Sequence, residues 1–300
     1  MARTPALALG IASLGLIALS ACSSKPVIVV GSKNFTEQVT LGELVAQQIE
    51  RRLDVEVHRK LNLGGTLLAH EAVKAGSLDL YPEYTGTALT AVLKRPAIKD
   101  PRAVLEQVRQ GYKPWDLVWL DPLGFNNTFA MVIRTDAAKD LTARTLSAAA
   151  QRPRPWKMGV GYEFVGRPDG LSGLLSAYGL RMDGAPLGMD LGLLYPAIES
   201  GRIEMGAASS TDAQLARSEF TVLEDDKLYF PPYQCAIVVR ESALAKHPGL
   251  REVLSELSGL ITDADMRRMN SAIEREHRSE AYVAREFLKF KLPARAGERP

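Results

Sequence analysis

The stretch LDLYPEYTGT, residues 78–87, is the part of the sequence around which the rest of the chain is organised. It opens as a short apolar alternation and then meets Pro82, with Tyr81 and Tyr84 placed on either side of Glu83. Proline and glycine interrupt strands, so we predict a short strand with its tyrosines in the loop at its end. Ligands of α/β sheets bind at that end of the strands. The alternative is that both tyrosines are ordinary core residues.

The stretch has a counterpart later in the chain. Residues 72–85 read AVKAGSLDLYPEYT and residues 197–210 read AIESGRIEMGAASS. Each segment predicts a helix end capped by glycine, Gly76 or Gly201, followed by a short strand whose tip reaches a loop. The repetition suggests two similar lobes that point loops into a shared cleft, although generic α/β patterning produces similar echoes.

Length and composition indicate a globular protein of two domains. The chain has 300 residues, 46% of them hydrophobic and 24% charged. Its 37 basic and 35 acidic side chains give a net charge of +2, with no long basic run, so nucleic acid is not an expected partner.

The N-terminus resembles a bacterial lipoprotein signal. Arg3 precedes an almost wholly apolar or small segment at 5–18, and Leu-Ser-Ala-Cys follows, ending at Cys22. We therefore expect residues 1–21 to be a signal peptide, Cys22 to carry the lipid, and residues 22–26 to be a tether that holds the protein outside the cytoplasm. A plain secretory signal cleaved just before Cys22 is the alternative.

The second cysteine, Cys235, lies in an apolar strand, YQCAIVV. If Cys22 is acylated, Cys235 has no partner for a disulfide, and we expect it to be a small buried hydrophobe.

The order of predicted elements favours two lobes joined by two crossing strands. A strand–helix–strand–helix rhythm after the tether indicates a parallel sheet. We place the crossings near residues 125–129 and 230–233. The first lobe then comprises residues 26–128 and 233–300, and the second lobe residues 129–232. Two such connections suit hinge closure around a ligand.

Motifs for catalysis are missing from the sequence. It has no P-loop, no HExxH and no G-x-S-x-G motif, and its four histidines do not fall at metal-ligand spacing. We therefore predict no catalytic residues, no metal, no cofactor and no enzymatic activity. A hydrolase on a two-lobed scaffold is the alternative, and the lack of a nucleophile–base pair argues against it.

Six motifs in order resemble the substrate-binding proteins of osmoprotectant ABC importers, which take glycine betaine, choline, carnitine and related quaternary ammonium compounds. The motifs are SKNFTEQ (32–38), YPEYTGT (81–87), FNNTFA (125–130), EFxxRxDG (163–170), STD (210–212) and FPPY (230–233). The resemblance covers nearly all of the chain after the tether. It implies a type II periplasmic-binding-protein fold with the ligand between the lobes. It also implies a monomer that works with an ABC permease and its ATPase.

The resemblance also implies a set of ligand-binding residues. An aromatic cage for the trimethylammonium group maps onto Tyr84, Phe129, Ser209 and Tyr233. The ligand carboxylate maps onto Arg167, with help from Lys33 and Thr87. The chemistry is consistent, because a quaternary ammonium has no N–H and aromatic faces select it by cation–π attraction. A carboxylate fits the planar fork of arginine.

The sequence departs from the family at this cage. Phe129 and Ser209 stand where tyrosines are usual, and Ala207 stands where aspartate is common. In the internal repeat Ser209 is the counterpart of Tyr84, so one aromatic wall is expected to be missing unless Tyr162 or Tyr195 fills it. We expect weak glycine betaine binding or a bulkier zwitterion such as ergothioneine. A sensory lipoprotein that serves no transporter is a further alternative.

Overall fold

Two five-stranded sheets form the framework of the computed structural model, which describes residues 25–292. The first sheet contains β1 (Val27–Gly31), β2 (Glu56–Lys60), β3 (Leu80–Tyr84), β4 (Leu117–Trp119) and β10 (Cys235–Arg240). The second contains β5 (Phe129–Arg134), β6 (Met158–Gly161), β7 (Leu187–Met189), β8 (Met205–Ser209) and β9 (Phe220–Leu223).

The two sheets share one topology. Their strand orders are β2-β1-β3-β10-β4 and β7-β6-β8-β5-β9. In each sheet the central strand, β3 or β8, runs parallel to one neighbour and antiparallel to the strand that enters from the other side of the molecule. This is the mixed α/β arrangement of a type II periplasmic binding protein, as the sequence predicts.

Helices cover both sheets. Those of the first are α1 (Thr36–Arg52), α2 (Thr66–Lys74), α3 (Thr85–Thr87) with a π-helical turn at Ala88–Val92, α4 (Pro101–Tyr112), α10 (Glu241–Lys246), α11 (Leu250–Ser255), α12 (Asp263–Glu274) and α13 (Glu280–Lys291). Those of the second are α5 (Thr135–Ala138), α6 (Leu146–Ala150), α7 (Tyr162–Gly166), α8 (Leu171–Tyr178) and α9 (Leu194–Glu199). Short 3₁₀ turns lie at Lys113–Trp115, Leu191–Leu193 and Ala213–Ala216.

The core lies on both faces of the first sheet. The side chains of β3 show this, because they point alternately to one face and to the other. Leu80 and Tyr84 pack into the cluster under α1, whereas Tyr81 packs into the opposite cluster with Val104 and Trp119. Successive side chains of a strand point to opposite faces, so the two tyrosines three positions apart serve different layers. Tyr81 is therefore a core residue, and only Tyr84 reaches the space between the lobes.

The strand β3 corrects the prediction made from Pro82. The strand runs through this proline to Tyr84 and passes directly into α3, so no loop follows it. Pro82 lies opposite Ile237 of β10, whose carbonyl accepts from the amide of Leu120 on the far side. The Pro82–Ile237 pair thus exchanges no ladder hydrogen bond, and the missing proline N–H disrupts nothing there.

The internal repeat is structural. Gly76 and Gly201 follow the ends of α2 and α9 with φ of 76° and 71°, in the left-handed region that favours glycine. After each glycine comes the central strand of its sheet, and these strands end at Tyr84 and Ser209. The two residues thus occupy equivalent strand ends in the two halves.

The chain passes between the sheets twice, at residues 120–128 and 224–234. The two passages bind each other: the Asn127 N–H donates to the Tyr233 carbonyl at 3.1 Å, and the Tyr233 N–H donates to Asn126 Oδ1 at 2.7 Å. The first sheet is formed by strands from residues 27–119 and 235–240, and the second by strands from residues 129–223.

The predictions about the N-terminus and about the two cysteines have different outcomes. The proposed signal peptide and Cys22 lie outside the described residues. Cys235 is a buried free thiol, as predicted. Within residues 25–292, no helix is long and apolar enough to cross a membrane.

Candidate functional site

A buried guanidinium stands at the interface between the lobes. Arg167 follows α7 in extended conformation and is 8% exposed. Its central carbon lies 5.3 Å from the ring centre of Phe129 and 5.9 Å from that of Tyr233. Its Nη1 faces the hydroxyl of Thr87 at 3.4 Å. The structure thus brings together four of the predicted ligand-binding residues.

An aromatic cluster forms the wall around this guanidinium. The Phe129 ring centre lies 4.7 Å from that of Phe164, 5.4 Å from that of Phe230 and 5.5 Å from that of Tyr233. Gly86 permits the approach of Tyr233, because a Cβ at Gly86 would lie 2.6 Å from the tyrosine ring. Phe164 and Phe230 were not predicted as site residues, although both fall within motifs that carry the family resemblance.

Arg167 is held by a carboxylate from its own lobe. Asp169 accepts from Nε at 2.9 Å and from Nη2 at 2.6 Å. It also accepts from the hydroxyls of Thr90 at 2.7 Å and Tyr233 at 2.5 Å. Burial disfavours the charge of Arg167, but Asp169 outweighs this and raises the guanidinium pKa. Burial and the Asp169 charge also raise the pKa of Tyr233, which therefore stays a hydroxyl donor.

A second buried ion pair lies beneath Tyr84. Lys33 follows β1, and its ammonium donates to Glu83 at 2.6 Å, with both side chains at most 4% exposed. The same ammonium lies 4.6 Å from the ring centre of Tyr84 and 5.8 Å from that of Phe35. Lys33 and Tyr84 are thus together, but the face of Tyr84 is covered by the protein's own cation.

Glu37 connects this pair to the second lobe. This buried carboxylate in the first turn of α1 accepts from the hydroxyl of Tyr84 at 2.6 Å and of Thr211 at 2.5 Å. It also accepts from the amides of Asn127 at 2.7 Å and Asn270 at 3.2 Å. Burial raises its pKa, and the four neutral donors offset only part of that rise.

Ser209 lies beside the aromatic cluster but presents no ring to it. It is paired in register with Phe129, and its hydroxyl donates to Oδ1 of Asn127. Tyr195 reaches this loop only with its hydroxyl, which donates to Asp212 at 2.9 Å, while its ring packs edge-on against Phe220. Tyr162, the other ring considered from the sequence, is 66% exposed and packs beside Gly188.

The two lobes touch across the site. Glu163 of α7 accepts from the backbone N–H of Thr66 at 2.7 Å and from its hydroxyl at 3.3 Å. Thr66 begins α2, whose N-cap Gly65 has no capping side chain, so the carboxylate from the other lobe caps the first N–H of the helix. Together with the contacts of Asp169 and Glu37, these hydrogen bonds join the two lobes.

Sequence reasoning missed the acidic members of the site: Glu37, Glu83 and Asp169. Each lies inside a motif that carries the resemblance, one to four positions from a predicted residue. Their being acidic residues did not mark them as members of the site, because acidic side chains are common on protein surfaces. Their burial against Lys33, Arg167 and neutral hydroxyls is visible only in the fold.

Comparison with known proteins gives a consistent family. Residues 26–289 match the family described as the substrate binding domain of ABC-type glycine betaine transport systems. The chain is 34% identical over 278 residues to an ergothioneine transport permease/ergothioneine binding protein, EgtU, of Helicobacter pylori; this covers 92% of the chain and 49% of that relative. The chain therefore spans about half the length of that relative.

Two further similarities cover nearly complete proteins. A glycine-betaine-binding protein of Pseudomonas aeruginosa is 33% identical over 271 residues, or 87% of this chain and 86% of the relative. The crystal structure of a glycine betaine/carnitine/choline ABC transporter protein superposes with a TM-score of 0.72 at 29% identity, covering 88% of this chain and 98% of the other.

Proposed function

Because this chain belongs to the family of substrate-binding domains of ABC-type glycine betaine transport systems, we propose that it delivers a small quaternary ammonium zwitterion to an ABC permease and its ATPase. The observation that carries the proposal is the buried Arg167, set between the lobes beside the rings of Phe129 and Tyr233. A guanidinium suits a carboxylate and aromatic faces suit a methylated cation.

In the proposed site, Arg167 binds the ligand carboxylate with Thr87 and Lys33 close by. Phe129, Tyr233 and Tyr84 supply the aromatic faces, and Ser209 supplies a hydroxyl at the remaining wall. In the closed arrangement Lys33 covers Tyr84 and Arg167 lies against the other two rings. A ligand cation entering the site therefore shifts at least one of these side chains from its ring.

A bulkier zwitterion of the ergothioneine type is the second candidate. Two observations favour it: Ser209 leaves a wall without a ring, and a relative that is 34% identical is named for ergothioneine. Calorimetry of the purified protein against glycine betaine, carnitine, choline, ergothioneine and ordinary amino acids decides between the two candidates. Saturable binding of ordinary amino acids alone would contradict both.

We propose that the lobes open to admit the ligand and that the closed form docks the permease. The two paired passages at 120–128 and 224–234 support hinge motion, and the Glu163–Thr66 contact supports a closed state. Small-angle scattering should show a smaller radius of gyration with saturating ligand. An unchanged radius would count against closure.

We propose that Cys22 carries a lipid and anchors a monomer outside the cytoplasm. The support is the Leu-Ser-Ala-Cys motif after an apolar segment. Mass spectrometry of the membrane fraction should find an acylated peptide beginning at Cys22. A secreted form that begins elsewhere would exclude the anchor. Loss of ligand uptake on gene deletion separates transport from a purely sensory role.

A further inference from the structure

Asp169 accepts hydrogen bonds from residues of both lobes. It is 3% exposed, and its two oxygens accept four hydrogen bonds. Two come from Arg167 of the same lobe, one from Thr90 beyond α3, and one from Tyr233 in the second passage between the sheets. Three of these bonds go to Oδ2 and one to Oδ1, so Oδ2 has no acceptor position left for a ligand.

This arrangement limits what Arg167 offers to a ligand. Asp169 binds Nε and Nη2, so one of the two edges through which a guanidinium binds a carboxylate in two places is already engaged. The remaining nitrogen, Nη1, faces Thr87 at 3.4 Å. A ligand carboxylate therefore meets the other edge, formed by Nη1 and Nη2, of a guanidinium whose charge is already balanced.

The charges of the site cancel in pairs. Arg167 with Asp169 and Lys33 with Glu83 are two buried ion pairs, each closed at 2.6 Å. A further buried carboxylate, Glu37, accepts from neutral donors, and burial favours its uncharged form. An unbalanced charge in such surroundings is costly, so a ligand of zero net charge fits better than an ion of the same shape.

We propose that Asp169 is the residue that sets the net charge of the accepted ligand, selecting zwitterions over anions by neutralising Arg167. The inference rests on the proposed function, because it concerns the same site. It assigns Asp169 a role in specificity, distinct from that of Arg167, which contacts the ligand.

The test compares glycine betaine with 3,3-dimethylbutanoate, in which carbon replaces the ammonium nitrogen and the net charge becomes −1. Wild type should bind glycine betaine at least about tenfold more tightly. Asp169→Asn gives the site an unbalanced positive charge, and the ratio of the two affinities should move toward 3,3-dimethylbutanoate by about tenfold or more. Calorimetry supplies both dissociation constants.

Two control variants separate the effect of the charge of Asp169 from the effect of its hydrogen bonds between the lobes. Thr90→Val removes one hydrogen bond to Asp169 without changing any charge, so it should weaken both ligands equally and leave the ratio unaltered. Asp136→Asn removes an exposed carboxylate paired with Arg134, and it should change neither affinity. If Asp169→Asn does not fold, as judged by circular dichroism, Asp169→Ser removes the same charge and keeps a hydroxyl.

The outcomes distinguish this inference from the proposed function. Equal weakening of both ligands by Asp169→Asn, or a wild type that prefers 3,3-dimethylbutanoate, overturns the role of Asp169. If wild type binds neither ligand, the glycine betaine assignment fails, and acetate then serves as probe. Acetate should raise the melting temperature of Asp169→Asn and not that of wild type. Equal shifts, or none in either protein, overturn the inference.

Discussion

The ammonium of Lys33 lies 4.6 Å from the ring centre of Tyr84, on an aromatic face that the family resemblance assigns to the ligand. The same ammonium is paired with Glu83 in a region with almost no exposure. The protein thus supplies its own cation where the sequence suggested a free wall.

Replacing Lys33 with methionine should destabilise the protein by about 3–5 kcal/mol, because Glu83 would remain buried without its counter-charge. Adding Glu83→Gln should recover much of that loss. Urea unfolding followed by circular dichroism measures both. Lys289→Met, which breaks an exposed pair with Glu286, should cost less than about 1 kcal/mol. A Lys33→Met variant as stable as wild type would show that the pair does not stabilise the fold.

Arg167→Ala should weaken binding of a carboxylate ligand by about 2–5 kcal/mol, because a desolvated charge contact is lost. Choline has no carboxylate, so its affinity should fall less in this variant. Calorimetry with glycine betaine and choline measures the difference, and Arg134→Ala serves as control because Arg134 is an exposed partner of Asp136. Unchanged affinity for the natural ligand would exclude Arg167 from the site.

Ser209→Tyr should strengthen glycine betaine binding by about 0.5–2 kcal/mol, or roughly two- to thirtyfold, if the ring reaches the cation. A larger natural ligand should bind more weakly because the ring occupies its space. Ser209→Ala is the matched control, since it removes the hydroxyl that donates to Asn127 and adds no ring. Submicromolar glycine betaine affinity in wild type, or weaker binding by the tyrosine variant, would contradict the missing wall.

The contribution of Asp212 to stability should fall as pH rises from about 4 to about 7. Burial, with Glu274 and Glu37 nearby, raises the pKa of Asp212 to about 7, although Ser209 and Tyr195 donate hydrogen bonds to it. The folded protein then holds a proton that the unfolded chain releases near pH 4, so this stabilisation is complete below pH 4 and lost through pH 7.

Asp212→Asn tests this pH dependence. The unfolding free energy of wild type minus that of the variant should fall between pH 4 and 7, measured in urea at several pH values. Asp140→Asn, at an exposed site, should leave the profile as in wild type. A difference in unfolding free energy between wild type and Asp212→Asn that is the same at pH 4 and at pH 7 would contradict the assignment.

The sequence by itself determined the two-sheet organisation and most of the elements. Apolar alternation located the strands, and Gly76 and Gly201 marked two helix ends because a positive φ there favours glycine. It also determined the types of side chain in the site, because the motifs contain aromatic and basic residues. It misplaced the end of β3, because whether a proline interrupts a strand depends on which neighbour its N–H would face.

The tertiary structure alone decided how the charges of the site are paired. Lys33 and Glu83 are 50 positions apart in the sequence. Glu37 accepts hydrogen bonds from residues as distant in the sequence as Tyr84 and Asn270. Local propensity carries no information about such pairs, because they form only when strands and lobes are set side by side. Burial then fixes their partners, since a charge removed from water requires a counter-charge or several hydrogen bonds.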